Sequence, residues 1–155
     1  MHRTSFTVGV MMERRLLANR WQSVQWTPIA VDPDAGPADS PQLHYSDAQI
    51  ERWLHAGFEL RLYPDEAEGY FLNCTTAEPA VFVAWRLEGD VAVPWAVTAS
   101  YNEAARLLDS GEEVQGVPMP KEILREVSAF VSLHYKPGPK KRSRPPSFKG
   151  AQRDE

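Results

Sequence analysis

The chain has one cysteine, Cys74, in 155 residues, so it cannot form an internal disulfide and suits a reducing compartment. No stretch approaches the roughly 18–20 apolar residues of a membrane span. The N-terminal segment MHRTSFTVGVMMERR lacks the apolar centre and small-residue cleavage site of a secretion signal, so the expected location is the cytoplasm. Glycines occur singly, at turns. No G-x-G-x-x-G, phosphate-binding loop or G-x-S-x-G elbow is present. The four histidines (His2, His44, His55 and His134) form no H-x-x-H or H-x-x-x-H pair, and one cysteine excludes a Cys₂His₂ site. His44 and His55 flank one ambiguous segment and could meet in space. No catalytic residue, metal site or cofactor is therefore expected, and a non-enzymatic role is the working expectation.

Lysine is also scarce: Lys121 is the only one before Lys136. Residues 1–135 carry 10 Lys+Arg against 19 Asp+Glu, a net of −9, whereas residues 136–155 carry 7 against 2, a net of +5. The basic segment KPGPKKRSRPPSFKG has many prolines and no apolar period, so it cannot bury enough surface to fold alone. The division expected is one domain over 1–135 and a flexible basic tail over 136–155. Lys140, Lys141, Arg142 and Arg144 are candidates for contact with an acidic protein surface or RNA. Only one aromatic, Phe148, accompanies them, which gives stacking on bases little support.

What the body does have is β-rich patterning. Phe6, Val8, Val10 and Met12 alternate with more polar positions, and WQSVQWTPIAV is rich in aromatic and β-branched residues, so the two segments predict an antiparallel hairpin. Pro28 marks an edge or a bulge there. VDPDAGPADSP is a loop. QLHYSDAQIERWLHAG fits a helix capped by Ser46 and Gln49 or a strand equally well. Alternation at 58–63, 70–75, 81–88 and 91–97, with turns between, predicts a four-stranded meander with Cys74 as a small buried residue. Trp85 and Trp95 fall in phase with valines and read as core.

The period then changes. Ser100 and Glu103 form a capping box, Ala104, Ala105, Leu107 and Leu108 continue a helix, and Gly111 can close it. EEVQGVPMP reads as a connector to a second helix, KEILREVSAFVSLHY, with Pro120 in its first turn. The fold class is α+β: a bent antiparallel sheet or small barrel of about six strands with two C-terminal helices.

Two surfaces stand out for a protein partner. Trp21 and Trp26 differ in parity, so without a bulge one of them points outward. Val117 and Met119, between Pro118 and Pro120, either staple the helices together or dock a partner. A third possibility is a pocket for a small molecule or cofactor, with Arg61, Asn73, Arg86, Tyr101 and Asn102 as its polar candidates.

The segments VGVMMERRLLANRWQSVQWTPIAV, GFELRLYPDEAEGYFLN, EPAVFVAWR, VTASYNEAARLLDSGEEVQGVPMP and KKRSRPPSF together resemble an uncharacterised bacterial domain-of-unknown-function family. Its members are typically encoded beside cytoplasmic molybdenum-dependent formate dehydrogenases and their maturation factors. The resemblance implies an accessory, assembly or subunit role for such a dehydrogenase. Some members are labelled molybdopterin-guanine dinucleotide biosynthesis protein A. That nucleotidyltransferase has an N-terminal LAGG-type loop, and TVGVMMERR does not supply one. The expected partner is thus a formate dehydrogenase subunit or maturation factor, with RNA or a small ligand as alternatives.

Overall fold

The computed structural model describes residues 2–137. The elements in order are β1 (Ser5–Leu16), β2 (Val24–Asp32), β3 (Gln42–Ser46), β4 (Ile50–Arg61), a 3₁₀ turn (Pro64–Glu66), α1 (Ala67–Cys74), β5 (Ala80–Glu88), β6 (Val91–Thr98), α2 (Tyr101–Asp109), β7 (Glu113–Pro118) and α3 (Lys121–His134). The strands form two antiparallel sheets, ordered β2-β1-β4-β3 and β6-β5-β7. The α+β class and the antiparallel pairing follow the sequence pattern. The basic segment's four named cations, Lys140, Lys141, Arg142 and Arg144, lie outside the described residues. Among the described residues no helix is long and apolar enough to cross a membrane.

Alternation works as expected in β1. Phe6, Val8, Val10 and Met12 are buried and meet Leu60, Leu62, Val81, Val83, Trp85, Ala92 and Val117 in one core. From α3, Ile123, Val127 and Phe130 join it, at helical spacing. Each fully buried branched side chain here stabilises the fold by about 1.5–3 kcal/mol. α2 lies over the second sheet, with Tyr101 edge-on to Phe82 at 6.3 Å.

The ambiguous segment is two strands and a turn, the β3–β4 hairpin, with no helix. Ser46 caps no helix. The Asp47 carboxylate instead accepts the Gln49 and Ile50 N–H groups at 2.8 Å each, fixing a turn.

Two segments differ from the pattern read in the sequence. Residues 70–74 belong to a helix rather than a strand, and Thr75 follows its end. Pro64 opens a 3₁₀ turn that leads into α1, and Ala67, Tyr70 and Asn73 are buried at helical spacing. The expected meander is therefore broken. EEVQGVPMP is a strand as well as a link: β7 pairs with β5, with Val117 opposite Val81.

α1 and α2 meet closely. A Cβ on Gly69 would lie 2.0 Å from the Ser100 oxygen, so only glycine permits this approach. Ser100 caps α2 as the sequence indicates, accepting the Glu103 N–H at 3.0 Å. Glu103, however, accepts from the Thr98 hydroxyl rather than closing the box on the Ser100 N–H, which Thr98 itself takes. The Ser100 hydroxyl donates to Glu66 at 2.6 Å.

Candidate functional site, an aromatic cleft at the open end of the sheets

β1 carries the core from Phe6, in one cluster with Tyr70 and Phe130, toward Arg14. From Phe6 to Arg14 is roughly 25 Å of strand. At that far end the two sheets no longer close on each other. An open cleft of about 880 Å³ remains, walled by β1, β2, β4 and the β5–β6 turn. Its lining includes Arg14, Val24, Trp26, Glu51, Trp53, His55, Leu87, Glu88, Asp90 and Val93.

Strand register explains this set. Arg14 pairs with Trp26 on one side and Glu51 on the other, Met12 pairs with Trp53, and Val10 pairs with His55. Paired residues share a face, so these side chains continue the core-facing side of the sheet beyond the point where it is filled. A bulge makes this possible. Val8 pairs with Phe58 and Val10 with His55, leaving one extra residue in β4 at Ala56–Gly57. Gly57 has φ +90° and its missing Cβ makes room for Ala38, 2.3 Å from where it would stand. The bulge turns Glu51, Trp53 and His55 inward. Leu54 and Ala56 go to the opposite face, under the 35–40 loop.

The polar groups of the cleft are unevenly satisfied. Trp53 Nε1 donates to Glu51 Oε1 at 3.0 Å, and Arg14 Nη1 lies 3.9 Å from Glu51 Oε2. His55 is 8% exposed, and burial pushes its pKa below the ordinary value, so its imidazole is neutral at pH 7. Among the described residues nothing hydrogen-bonds that imidazole. It holds one N–H donor and one bare nitrogen acceptor, both unused. On the opposite face Glu13 is buried but well paired, with Arg15 at 3.1 Å and Arg52 at 3.0 Å.

The rim is apolar. Leu87 is 65% exposed and Val91 49%. Trp21 stands in the turn that leads into the β2 wall and is 85% exposed. The turn is held by Asn19, whose carbonyl accepts the Trp21 and Gln22 N–H groups at 2.8 Å. Arg20 lies over the Trp21 ring.

Of the residues singled out in the sequence, Trp21 is thus a surface side chain and Trp26 is half-buried in the cleft wall. The β1–β2 register shifts next to Pro28, where an edge or a bulge was expected. Val117 and Met119 are buried in the core and hold β7 and the start of α3 in place. Trp95 is not core. A bulge between Ala84 and Trp85 displaces it to the outer face, 38% exposed, where the Arg86 guanidinium stacks on it at 4.3 Å. Arg86 also forks onto Glu112, which gives that carboxylate after the end of α2 its cation.

Arg61, Asn73, Arg86, Tyr101 and Asn102 do not line the cleft. Asn73 is a buried tie between segments: its amide donates to Ala80 O and Ala99 O and accepts from Ala80 N. Cys74 is half-buried, 4.0 Å from the Ser128 hydroxyl, and burial raises its thiol pKa, which disfavours a nucleophilic thiolate. His44 is exposed on β3 and does not line the cleft with His55. Among the described residues no three His, Cys, Asp or Glu side chains converge as a metal site would require.

Sequence reasoning missed Trp53, His55, Glu51 and Arg14 as a group. Simple alternation from Phe58 and Leu60 puts Leu54 and Ala56 inward, and only the Gly57 bulge reverses it. A glycine interrupting an otherwise alternating strand was the available signal.

No curated protein and no solved structure matches the chain. Residues 7–144 match the family described as protein of unknown function (DUF3305), and the chain belongs to that family.

Proposed function

We propose that the chain is a non-enzymatic accessory protein that acts by holding another protein. The observation that carries this reading is the open cleft of about 880 Å³, with two indoles in its walls and the exposed Leu87 and Val91 at its rim. Exposed apolar side chains around a concave, partly aromatic surface are the usual form of a protein-docking site. The acidic body steers encounter with a basic surface.

The partner we propose, from the resemblance of the sequence, is a subunit or maturation factor of a cytoplasmic molybdenum-dependent formate dehydrogenase. The test is co-purification of tagged full-length chain with these components, repeated with purified proteins. Saturable binding to one of them is expected. Failure to recover any dehydrogenase subunit or maturation factor, with or without residues 136–155, sinks the assignment.

A second reading has one observation in its favour. The cleft's volume falls in the range of small-molecule sites, and buried His55 supplies an unused polar group.

A further inference from the structure

The charges of the cleft are unbalanced. Among the described residues its lining contains one cation, Arg14, against three carboxylates: Glu51 on β4 and Glu88 and Asp90 on the β5–β6 turn. Arg14 and Glu51 lie near each other, which leaves the two carboxylates of the turn without a cation among the lining residues. Trp26 and Trp53 stand on strands either side of β1, whose backbones are on the order of 10 Å apart. One cross-strand row deeper than Trp53, on the same strand, His55 is over nine-tenths buried and, among the described residues, unpartnered. Aromatic faces, excess negative charge and a bare nitrogen acceptor all favour the same guest, a planar cation carrying several N–H donors.

Resting on the protein-docking reading above, we propose that the cleft captures an arginine side chain projecting from a segment of the partner protein. The guanidinium enters past the indoles, donates to the bare nitrogen of His55 and reaches a carboxylate of the turn. Apolar neighbours of the arginine lie on Leu87 and Val91. Arginine suits the site better than lysine because its flat fork can stack on an indole while bonding to two acceptors.

The test uses full-length chain and three probes: the blocked peptide acetyl-Ala-Leu-Arg-Val-Ala-amide, the same peptide with citrulline for arginine, and acetyl-arginine amide. Binding is followed by tryptophan fluorescence and by the imidazole nitrogen resonances of His55. The arginine peptide is expected to bind at least tenfold more tightly than either other probe and to shift the His55 resonances. In a Glu88→Gln/Asp90→Asn double variant, whose changes lie on an exposed turn, the preference for arginine over citrulline should fall at least threefold. Equal binding of the arginine and citrulline peptides overturns the cation assignment but leaves the docking reading standing. Acetyl-arginine amide binding as tightly as the peptide overturns the partner segment in favour of a small ligand. Unmoved His55 resonances with every probe at millimolar concentration overturn the cleft as the site, whether or not the dehydrogenase components bind elsewhere.

Discussion

Two clusters of buried polar side chains lie in different parts of this fold, and they are satisfied very differently. Around α1 and α2, Asn73 is 1% exposed and Ser100 is 0% exposed. Both amide hydrogens of Asn73 and its oxygen are used on backbone groups, and the Ser100 hydroxyl both donates and accepts. Tyr70, whose phenol is pushed up to about 12 by burial, accepts the Tyr63 N–H at 2.9 Å. In the cleft, His55 is almost as buried and has no hydrogen-bond partner among the described residues. Burial of a polar group costs free energy unless a hydrogen bond offsets it. In the first cluster the fold supplies the offset, so the residues belong to folding. In the second it does not, which makes His55 the group through which a ligand can gain.

The sharpest way to break this contrast is Asn73→Leu. The change leaves the Ala99 carbonyl unpaired in the interior and takes the same partner from the part-buried Ala80 N–H and carbonyl. Each costs on the order of 1–3 kcal/mol when left unpaired. Chemical denaturation should show a loss of about 3 kcal/mol or more, a large share of the stability of a domain this size. Partner binding by the fraction still folded should be unchanged. A loss below about 1 kcal/mol would mean the network is not what ties α1 to β5.

The folding cluster was partly legible in the sequence and the cleft was not. Ser100 with Glu103 announced the start of α2, because a capping box is local and its residue types follow from the geometry of a helix end. The buried faces of β1, β5 and α3 were legible for the same reason, since period two and period 3.6 are properties of the backbone. What escaped were the places where one residue is inserted into a ladder. Bulges at Gly57 and at Trp95 each reverse the facing of the residues beyond them, so parity gave the wrong side for Trp95 and, carried back from Phe58, would give the wrong side for His55. The helix at 67–74 escaped because YFLNCT alternates by composition, while the starting signal, Pro64 followed by Asp65 and Glu66, reads equally well as a hairpin turn.

A gentler test acts on the cleft. Burial lowers the His55 pKa below its ordinary 6.5, so between the two values the unfolded chain binds more protons than the folded one. Stability from this group is therefore full above pH 6.5 and declines as the pH falls below it toward the folded value. Replacing His55 with leucine breaks no hydrogen bond. At pH 7 it should change stability by less than about 1 kcal/mol. Between pH 7 and pH 5 the variant should lose less stability than the natural chain, as read from denaturation midpoints. A loss of several kcal/mol at pH 7 would place His55 in the same class as Asn73 and remove the contrast.

The smallest effect on folding belongs to Trp21, and for that reason it gives the cleanest separation of folding from recognition. Its side chain is 85% exposed and its turn is fixed by Asn19 through backbone N–H groups, so the indole contributes little to the turn. Trp21→Ser should leave stability within about 0.5 kcal/mol of the natural chain. If the docking surface runs from the cleft over its rim to this turn, which also supplies Ser23 and Val24 to the wall, the indole is an anchor. Truncating such an anchor costs about 2 kcal/mol of binding or more. That corresponds to at least a tenfold rise in Kd for the protein partner, read by calorimetry with purified components. The arginine pentapeptide, too short to leave the cleft, should bind the variant unchanged. Loss of both would mean that the turn shapes the cleft itself, and loss of neither would confine recognition to the cleft walls.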